Sequence, residues 1–548
     1  LGKTKAHLYD QGNYALNYTE IPALNPGHAW RDGMVSGNGR NGYITSGSPY
    51  SDSFIFQHMW FNFPSSDPRE IPPELTSQLQ EARQNVFEQN DQWKIKHDNG
   101  DTRVRTFYYS YHPGHQLRLN MVNRGKVSDY ERWTNYVTAE TGVRYRDNDG
   151  LWVRTSFTSR IDDVSITKLE HSDLGQRINM VLQIDDISHM DGAYNGMSEV
   201  HALRYKKLVD TEASYLAQVV HYPSYVDSEL CYGGYAGVTQ VIIVNGSKER
   251  IVLENTDEEM NVGLEQNPAI QIKDADAVYL ITTSGRTHEM GRIENFAACS
   301  SYSLIDELLQ HTQSVVQKYS HAQCAFDYEQ ALSLHAQWHY REFNAVRFAL
   351  HGDEEHKDVD NLKLIELQQA SANRINHAFM EQVYNQGRYA MICCSGSSAP
   401  RLYGMWTGEW NPGWRGIYTL DANVNLQVAA MNTGNLTQAQ LGYITFFLRN
   451  APDFEANARM AYGLHDAIQV SVNSDGDCAI HVEYDNDYPF EYWNAGASWC
   501  LLPIFEYWQC FGNRDIPIVE EMDIDRLQFL LSVHDNGLSD AAFFSLKE

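Results

Sequence analysis

The chain has 548 residues, 43% of them hydrophobic and 12% aromatic, enough apolar surface for several folded units and too much for a disordered chain. Its 42 Lys and Arg against 71 Asp and Glu leave a formal net charge of −29, a field that repels phosphate backbones and anionic headgroups and so excludes nucleic acid as an expected partner. No apolar run reaches the roughly 18 residues a bilayer span needs, so a soluble protein without membrane association is expected, with a lean towards secretion or the periplasm.

In chain order, the first notable pattern is Gly37-Asn38-Gly39-Arg40-Asn41-Gly42, which matches a dinucleotide-binding fingerprint on paper. That chemistry needs a helix N-terminus after the glycines to hold pyrophosphate, whereas Tyr43-Ile44-Thr45 reads as a strand; a tight turn or bulge is expected instead. Val143 to Arg146 and Trp152 to Ser159 alternate in polarity around Asn148-Asp149-Gly150, a hairpin pattern. Asp147, Asp149 and Gly150 resemble part of a calcium loop, but its closing Glu is absent. Further strand-like runs at residues 178–184, 241–246, 251–254 and 278–283 have the spacing of a large antiparallel sandwich.

Near residue 300 the hydrophobic period changes from two to that of a helix. Leu304, Ile305, Leu308, Leu309, Val315 and Val316 follow Ser303, the predicted N-cap, and the same habit continues over residues 326–349 and 361–384. Amphipathic stretches return at residues 426–449 and 497–511, separated by loops rich in Gly, Pro, Asn and Trp. The eight cysteines lack metal-ligand spacing and are expected to be small buried hydrophobes. No HExxH, no phosphate-binding loop and no zinc-like His pair occurs. Asn17, Asn245 and Asn435 each begin an Asn-X-Ser/Thr pattern.

Two stretches carry chemistry. In residues 395–427, Trp406, Trp410 and Trp414 alternate with Gly and Pro; such rings either plug a core or wall a pocket that accepts flat sugar faces. Asn423 and Asn425 are two apart, so an extended segment would turn both amides to one side, where their oxygens hold a water or hydroxyl; the alternative is that Asn425 caps the following helix. In residues 490–513, Trp499 and Glu506 are two helical turns apart on one face, with Pro503 between them as a predicted kink. Glu506 stands among Trp499, Phe505, Tyr507 and Trp508. Such a setting desolvates a carboxyl and keeps it protonated, as a general acid must be; a structural Glu bonded to backbone is the alternative.

Trp30 with Gly37 to Gly42, Gly387-Arg388-Tyr389, Leu402 to Trp406 with Asn411-Pro412-Gly413-Trp414, Asn423-Val424-Asn425-Leu426-Gln427, and Gly496-Ala497-Ser498-Trp499 through Phe505-Glu506-Tyr507-Trp508 form an ordered set. The set resembles the α-L-fucosidases of glycoside hydrolase family 95, whose relatives include α-L-galactosidases. The resemblance implies an N-terminal antiparallel β-sandwich (residues 1–290), a helical linker (291–370) and an (α/α)6-barrel (371–548) that is incomplete at its C-terminus. It implies inverting hydrolysis of terminal α-linked L-fucose from an oligosaccharide or glycoconjugate, with no metal or organic cofactor and with acid and base about 6.5–9.5 Å apart.

On that resemblance Glu506 takes the position of the general acid. Asn423 and Asn425 take those of two asparagines that orient the attacking water together with a later aspartate, since an amide is too weakly basic to take the proton. Trp406, Asp421 and Trp499 are the implied substrate contacts. Asp421 stands where a histidine is common, Val428-Ala429-Ala430-Met431 replaces Met-Asn-Tyr-Trp, and Asn473-Ser474-Asp475 echoes the family's Asn-Thr-Asp only weakly. Residues 300–548 are too few for twelve barrel helices, so the chain is expected to be either the N-terminal portion of a longer polypeptide or a glycan-binding protein without the completing base. α-L-Galactosidase action is the alternative within enzymes.

Overall fold

A computed structural model describes residues 9–12, 29–64, 74–89, 109–122, 125–171, 177–185, 203–223, 233–253, 267–291, 295–322, 324–357, 359–480, 493 and 495–511. Asn17, Cys231 and residues 490–492 of the second chemical stretch lie outside the described residues. The strands are β1 (Tyr9–Gly12), β2 (Met34–Gly37), β3 (Asn41–Thr45), β4 (Ser51–His58), β5 (Asn62–Phe63), β6 (Ser110–Tyr111), β7 (Gln116–Met121), β8 (Ser128–Asn135) and β9 (Glu140–Asp147). They continue with β10 (Gly150–Ser159), β11 (Val164–His171), β12 (Ile178–Asp185), β13 (Arg204–Asp210), β14 (Tyr215–His221), β15 (Gly234–Val244), β16 (Ser247–Leu253), β17 (Asn267–Ala275) and β18 (Ala277–Arg286). Antiparallel pairing builds a nine-stranded sheet in the order β1-β8-β9-β10-β11-β18-β15-β14-β13 and a seven-stranded sheet in the order β16-β17-β12-β7-β4-β3-β2.

The two sheets close a sandwich because their strands alternate. β12 buries Ile178, Met180, Leu182 and Ile184 and leaves the residues between them half-buried. That apolar face meets Val143, Trp152, Leu169 and Leu280 of the larger sheet, each large side chain contributing about 1.5–3 kcal/mol by leaving water. β15 is different: its first eight residues are all buried, because a helix covers the outer face of the larger sheet. The hairpin read from Asn148-Asp149-Gly150 is present, with Trp152 opposite Tyr145 in the β9–β10 register.

The glycine-rich segment is the β2–β3 turn, and it docks on the helical region. Asn38 Oδ1 accepts from the backbone N–H groups of Arg40 and Asn41, and Gly39 N–H donates to the Cys393 carbonyl at 2.8 Å. A Cβ on Gly37 would stand 2.6 Å from the Cys393 carbonyl oxygen, and one on Gly39, where φ is +84°, would stand 2.2 Å from that of Ser395. Close backbone approach, not a pyrophosphate, is what these glycines serve.

The helices are α1 (Leu79–Gln89), α2 (Ser301–Tyr319), α3 (Tyr328–Asn344), α4 (Asn361–Ala370), α5 (His377–Cys394), α6 (Asn423–Val428), α7 (Thr437–Tyr462) and α8 (Gly496–Phe511). The cap of α2 is Ser300, not Ser303: Ser300 has extended backbone and its side chain accepts from the Ser303 N–H. The helical run expected over residues 361–384 breaks after Ala370 and restarts behind Asn376, whose side chain caps α5. The run expected over 426–449 likewise divides into α6 and α7, with Asn435 at φ 51° between them. Among the described residues no helix is long and apolar enough to cross a membrane.

α2 and α3 lie on the outer face of the nine-stranded sheet, where Leu304 and Ile305 cover Ala217, Val219 and Val238, and Val315, Tyr319 and Tyr328 cover Phe157 and Ile281. One apolar cluster then runs from Ile55, Phe61 and Tyr111 of the sandwich into Tyr389, Trp410, Tyr418, Phe446 and Ile504 of the helical region. Polar locks cross the same boundary. Asp477 accepts a bidentate Arg286 pair at 2.6 and 2.9 Å with both side chains fully buried, and also accepts from Gly291 N–H and Asn62 Nδ2. Arg401, also fully buried, donates to the Met59 carbonyl and to Asn62 Oδ1 and lies over the rings of Tyr111 and Tyr418.

Candidate active site

Of the three tryptophans in the loop from α5 to α6, two plug the core and the third is exposed. Trp410 is fully buried, stacked on His112 with ring centroids 5.0 Å apart. Trp406, expected to touch substrate, is 8% exposed and donates its indole N–H to the Ser36 carbonyl at 3.1 Å. It plugs the boundary with β2, because that site offers both an apolar wall and the acceptor an indole requires. Trp414 is 71% exposed on a backbone where it and Arg415 both have positive φ.

The asparagine pair does not sit on an extended segment. α6 starts at Asn423, with Ala422 as N-cap and no side-chain cap, so Asn425 caps nothing. Residues two apart on a helix point about 200° apart, and the two amides accordingly separate: Asn423 is exposed and Asn425 is 5% exposed. Asn425 Nδ2 donates to the Trp499 carbonyl at 2.6 Å, and Asn425 Oδ1 accepts from Tyr443 OH at 3.1 Å. Tyr443 is fully buried on α7, which holds its phenol well above the usual range and therefore protonated, and its hydroxyl also lies 2.7 Å from the Cys500 carbonyl. Trp499 returns a bond to the segment before α6, its indole N–H donating to the Leu420 carbonyl at 3.1 Å.

α8 is one continuous helix across Pro503, not two segments meeting at a break. Trp499 and Glu506 lie two turns apart along it, as their spacing requires. Successive helical residues diverge by about 100°, so the sequence neighbours of Glu506 point to different sides of α8. Phe505 and Trp508 pair with each other at 5.7 Å and Tyr507 pairs with Phe511 at 4.9 Å, leaving Glu506 half-buried. Asp421, two residues before the start of α6, turns Oδ1 inward, where that oxygen has no hydrogen-bond partner among the described residues. Burial, and then the nearby Asp421 carboxylate, raise the Cys500 thiol well above its usual range.

Asp421, Asn423, Asn425 and Trp499 are thus gathered where α6 meets the start of α8, with Glu506 further along the same helix; Trp406 lies apart. Tyr443, Asn432 and Gln440 were not picked out by sequence, since buried polar residues in α7 and the turn before it carry no local signature. The Asn473-Ser474-Asp475 segment forms β20 (Asn473–Ser474), paired with β19 (Tyr418–Thr419), and Asp475 is buried accepting backbone N–H groups of Tyr109, Asp477 and Cys478. Arg388 of the Gly-Arg-Tyr motif donates to the carbonyls of Phe343, Glu342 and Gly434, and Tyr389 OH donates to that of Val35. Among the described residues, Asp353, Glu355 and His356 are close enough to share a cation, but Asp353 already pairs with Arg374 and His356 with Asn376.

Residues 327–521 match the glycosyl hydrolase family 95 catalytic domain, and residues 21–283 match the glycosyl hydrolase family 65 N-terminal domain. Alpha-L-fucosidase 2 of Arabidopsis thaliana is 21% identical over 508 residues, which is 88% of this chain and 54% of that protein. The chain therefore spans about half the length of this curated relative. Among solved structures, a putative kojibiose phosphorylase from the human microbiome is 11% identical with a TM-score of 0.45, covering 89% of this chain and 55% of its own. A bacterial glucoamylase complexed with acarbose is 8% identical with a TM-score of 0.36, covering 84% and 59%. The family GH92 inverting mannosidase of Bacteroides thetaiotaomicron is 9% identical with a TM-score of 0.29, covering 65% and 41%.

Proposed function

From its assignment to glycoside hydrolase family 95, we propose that this chain carries the acid side and the water-orienting side of a glycosidase that releases terminal α-linked L-fucose with inversion. On this reading residues 1–290 are the sandwich domain, 291–370 the helical linker and 371–548 the N-terminal part of an (α/α)6-barrel. Glu506 protonates the leaving oxygen. Asn425, the buried member of the pair, orients the attacking water, Asn423 faces the open side of the same turn where a sugar can reach it, and a carboxylate elsewhere in the natural protein takes the water's proton, because an amide cannot. Asp421 offers its inward oxygen to a sugar hydroxyl, and Trp499 offers a ring face to the sugar.

The observation that carries this reading is the bond from Asn425 to the Trp499 carbonyl, which ties the asparagine helix to the helix that bears Glu506. An acid and a water site must keep a fixed separation for a single in-line displacement, and a shared backbone reference supplies it. The Asp421 oxygen without a partner among the described residues adds to it, since a buried acceptor without a donor is costly unless a ligand hydroxyl completes it. The match to a protein named as a fucosidase favours L-fucose. The test is to incubate the natural full-length protein with defined L-fucosyl and L-galactosyl oligosaccharides and follow the released sugar by NMR. Release of β-L-fucose as the first anomer supports the reading; release of α-L-fucose overturns inversion, and release of no monosaccharide overturns the enzyme.

A further inference from the structure

In an α-helix each carbonyl accepts from the N–H four residues on. Pro503 lies inside α8 and has no N–H, so the carbonyl of Trp499 is left without a helical donor. Asn425 Nδ2 occupies that carbonyl at 2.6 Å. The single hydroxyl hydrogen of Tyr443 is shared between the next carbonyl, of Cys500, at 2.7 Å and Asn425 Oδ1 at 3.1 Å. Pro503's own carbonyl accepts from Asn432 Nδ2 and Gln440 Nε2, both at 3.0 Å. Asn425, Asn432, Gln440, Tyr443 and Pro503 are all buried.

We propose that Pro503 and Tyr443 are positioning residues that fix the Asn425 amide. Pro503 acts by leaving the Trp499 carbonyl open to Nδ2, and Tyr443 by holding Oδ1. The inference rests on the reading of Asn425 as a water-orienting group and deepens it. A carboxamide rotated by half a turn would set its oxygen against the Trp499 carbonyl, two acceptors facing each other, so the anchored orientation is unique. Nδ2 keeps a second hydrogen and Oδ1 a second lone pair; with the first of each engaged, those two are held in a set direction. Glu506 follows Pro503 by three residues on the same helix, so amide and carboxyl take their positions from one stretch of backbone.

The test uses the natural full-length protein and 4-nitrophenyl α-L-fucopyranoside. Pro503→Ala restores an N–H that competes for the Trp499 carbonyl, and Tyr443→Phe removes one oxygen. Each is expected to lower kcat roughly 10–100-fold while KM stays within about twofold. Neither change adds to the loss in an Asn425→Ala background. A purely structural role would lower the melting temperature and leave kcat per folded molecule unchanged, which overturns the proposal. If the wild-type protein releases no fucose, the functional reading fails separately, and thermal melting decides the anchoring. Non-additive melting shifts for Pro503→Ala and Asn425→Ala then sustain it, and additive shifts overturn it.

Discussion

Asn425 and Trp499 are joined at 2.6 Å, side-chain amide to main-chain carbonyl, and Trp499 closes the link by donating its indole N–H to Leu420 at 3.1 Å. Asp421, Ala422 and Asn423 therefore hang between two anchors on one residue of α8. The short α6, too brief to be stable alone, is held in place by this grip and by Val424 and Val428, which enter the common core.

The two asparagines should separate in mutational effect. Asn425→Ala leaves the Trp499 carbonyl without its donor and is expected to lower stability by about 1–3 kcal/mol as well as activity. Asn423→Ala, at an exposed position, is expected to stay within about 0.5 kcal/mol of wild-type stability and to lose activity roughly 100-fold. Urea unfolding alongside fucoside turnover checks both; equal stability losses at the two positions would contradict the geometry.

The boundary between sandwich and helical region depends on Asp477 and Arg286. Asp477→Ala leaves a fully buried guanidinium without its carboxylate and removes the acceptor for Gly291 N–H and Asn62. The expected loss is about 3–5 kcal/mol, read as a lower urea midpoint. A midpoint within error of wild type would show that the pair does not lock the boundary.

Acid sensitivity follows from the buried histidines. Burial pushes His112, His115 and His339 down to about 3 from an ordinary value of 6.5. Between those values the unfolded chain binds protons that the folded chain does not, so stability present above about pH 6.5 is lost as the pH falls towards 3. His115 stacks on Phe56 at 4.9 Å, and neither of its ring nitrogens has a hydrogen-bond partner among the described residues, so it has nothing to stabilise a positive charge. Melting temperature is expected to fall steadily from pH 7 to pH 5. A flat profile over that interval would contradict the burial of these rings.

Much of the sandwich is legible from local pattern: the β9–β10 hairpin follows from alternation and a two-residue turn, and β12 from its period of two. The helix breaks are less so. Asn376 and Asn435 look like ordinary polar positions in a helical run, and only packing turns one into a cap and puts the other at positive φ. At the site, the family likeness points to Asn423, Asn425 and Glu506, yet their relation is set by Tyr443 and by the carbonyls of α8, which no short motif records. The asparagines do not lie on an extended segment because the helix starts at Asn423 itself, and Trp406 is held by a carbonyl some 370 residues away on β2, a partner no local pattern records. Pro503 was legible as a helix irregularity; that it frees a carbonyl for another helix was not.

The most direct measurement is the turnover of Glu506→Gln in the natural full-length protein on an α-L-fucoside. Removing the proton donor while keeping the shape is expected to lower kcat roughly 10²–10⁴-fold with KM within a few-fold. Glu506→Gln turning over at the wild-type rate would contradict the account.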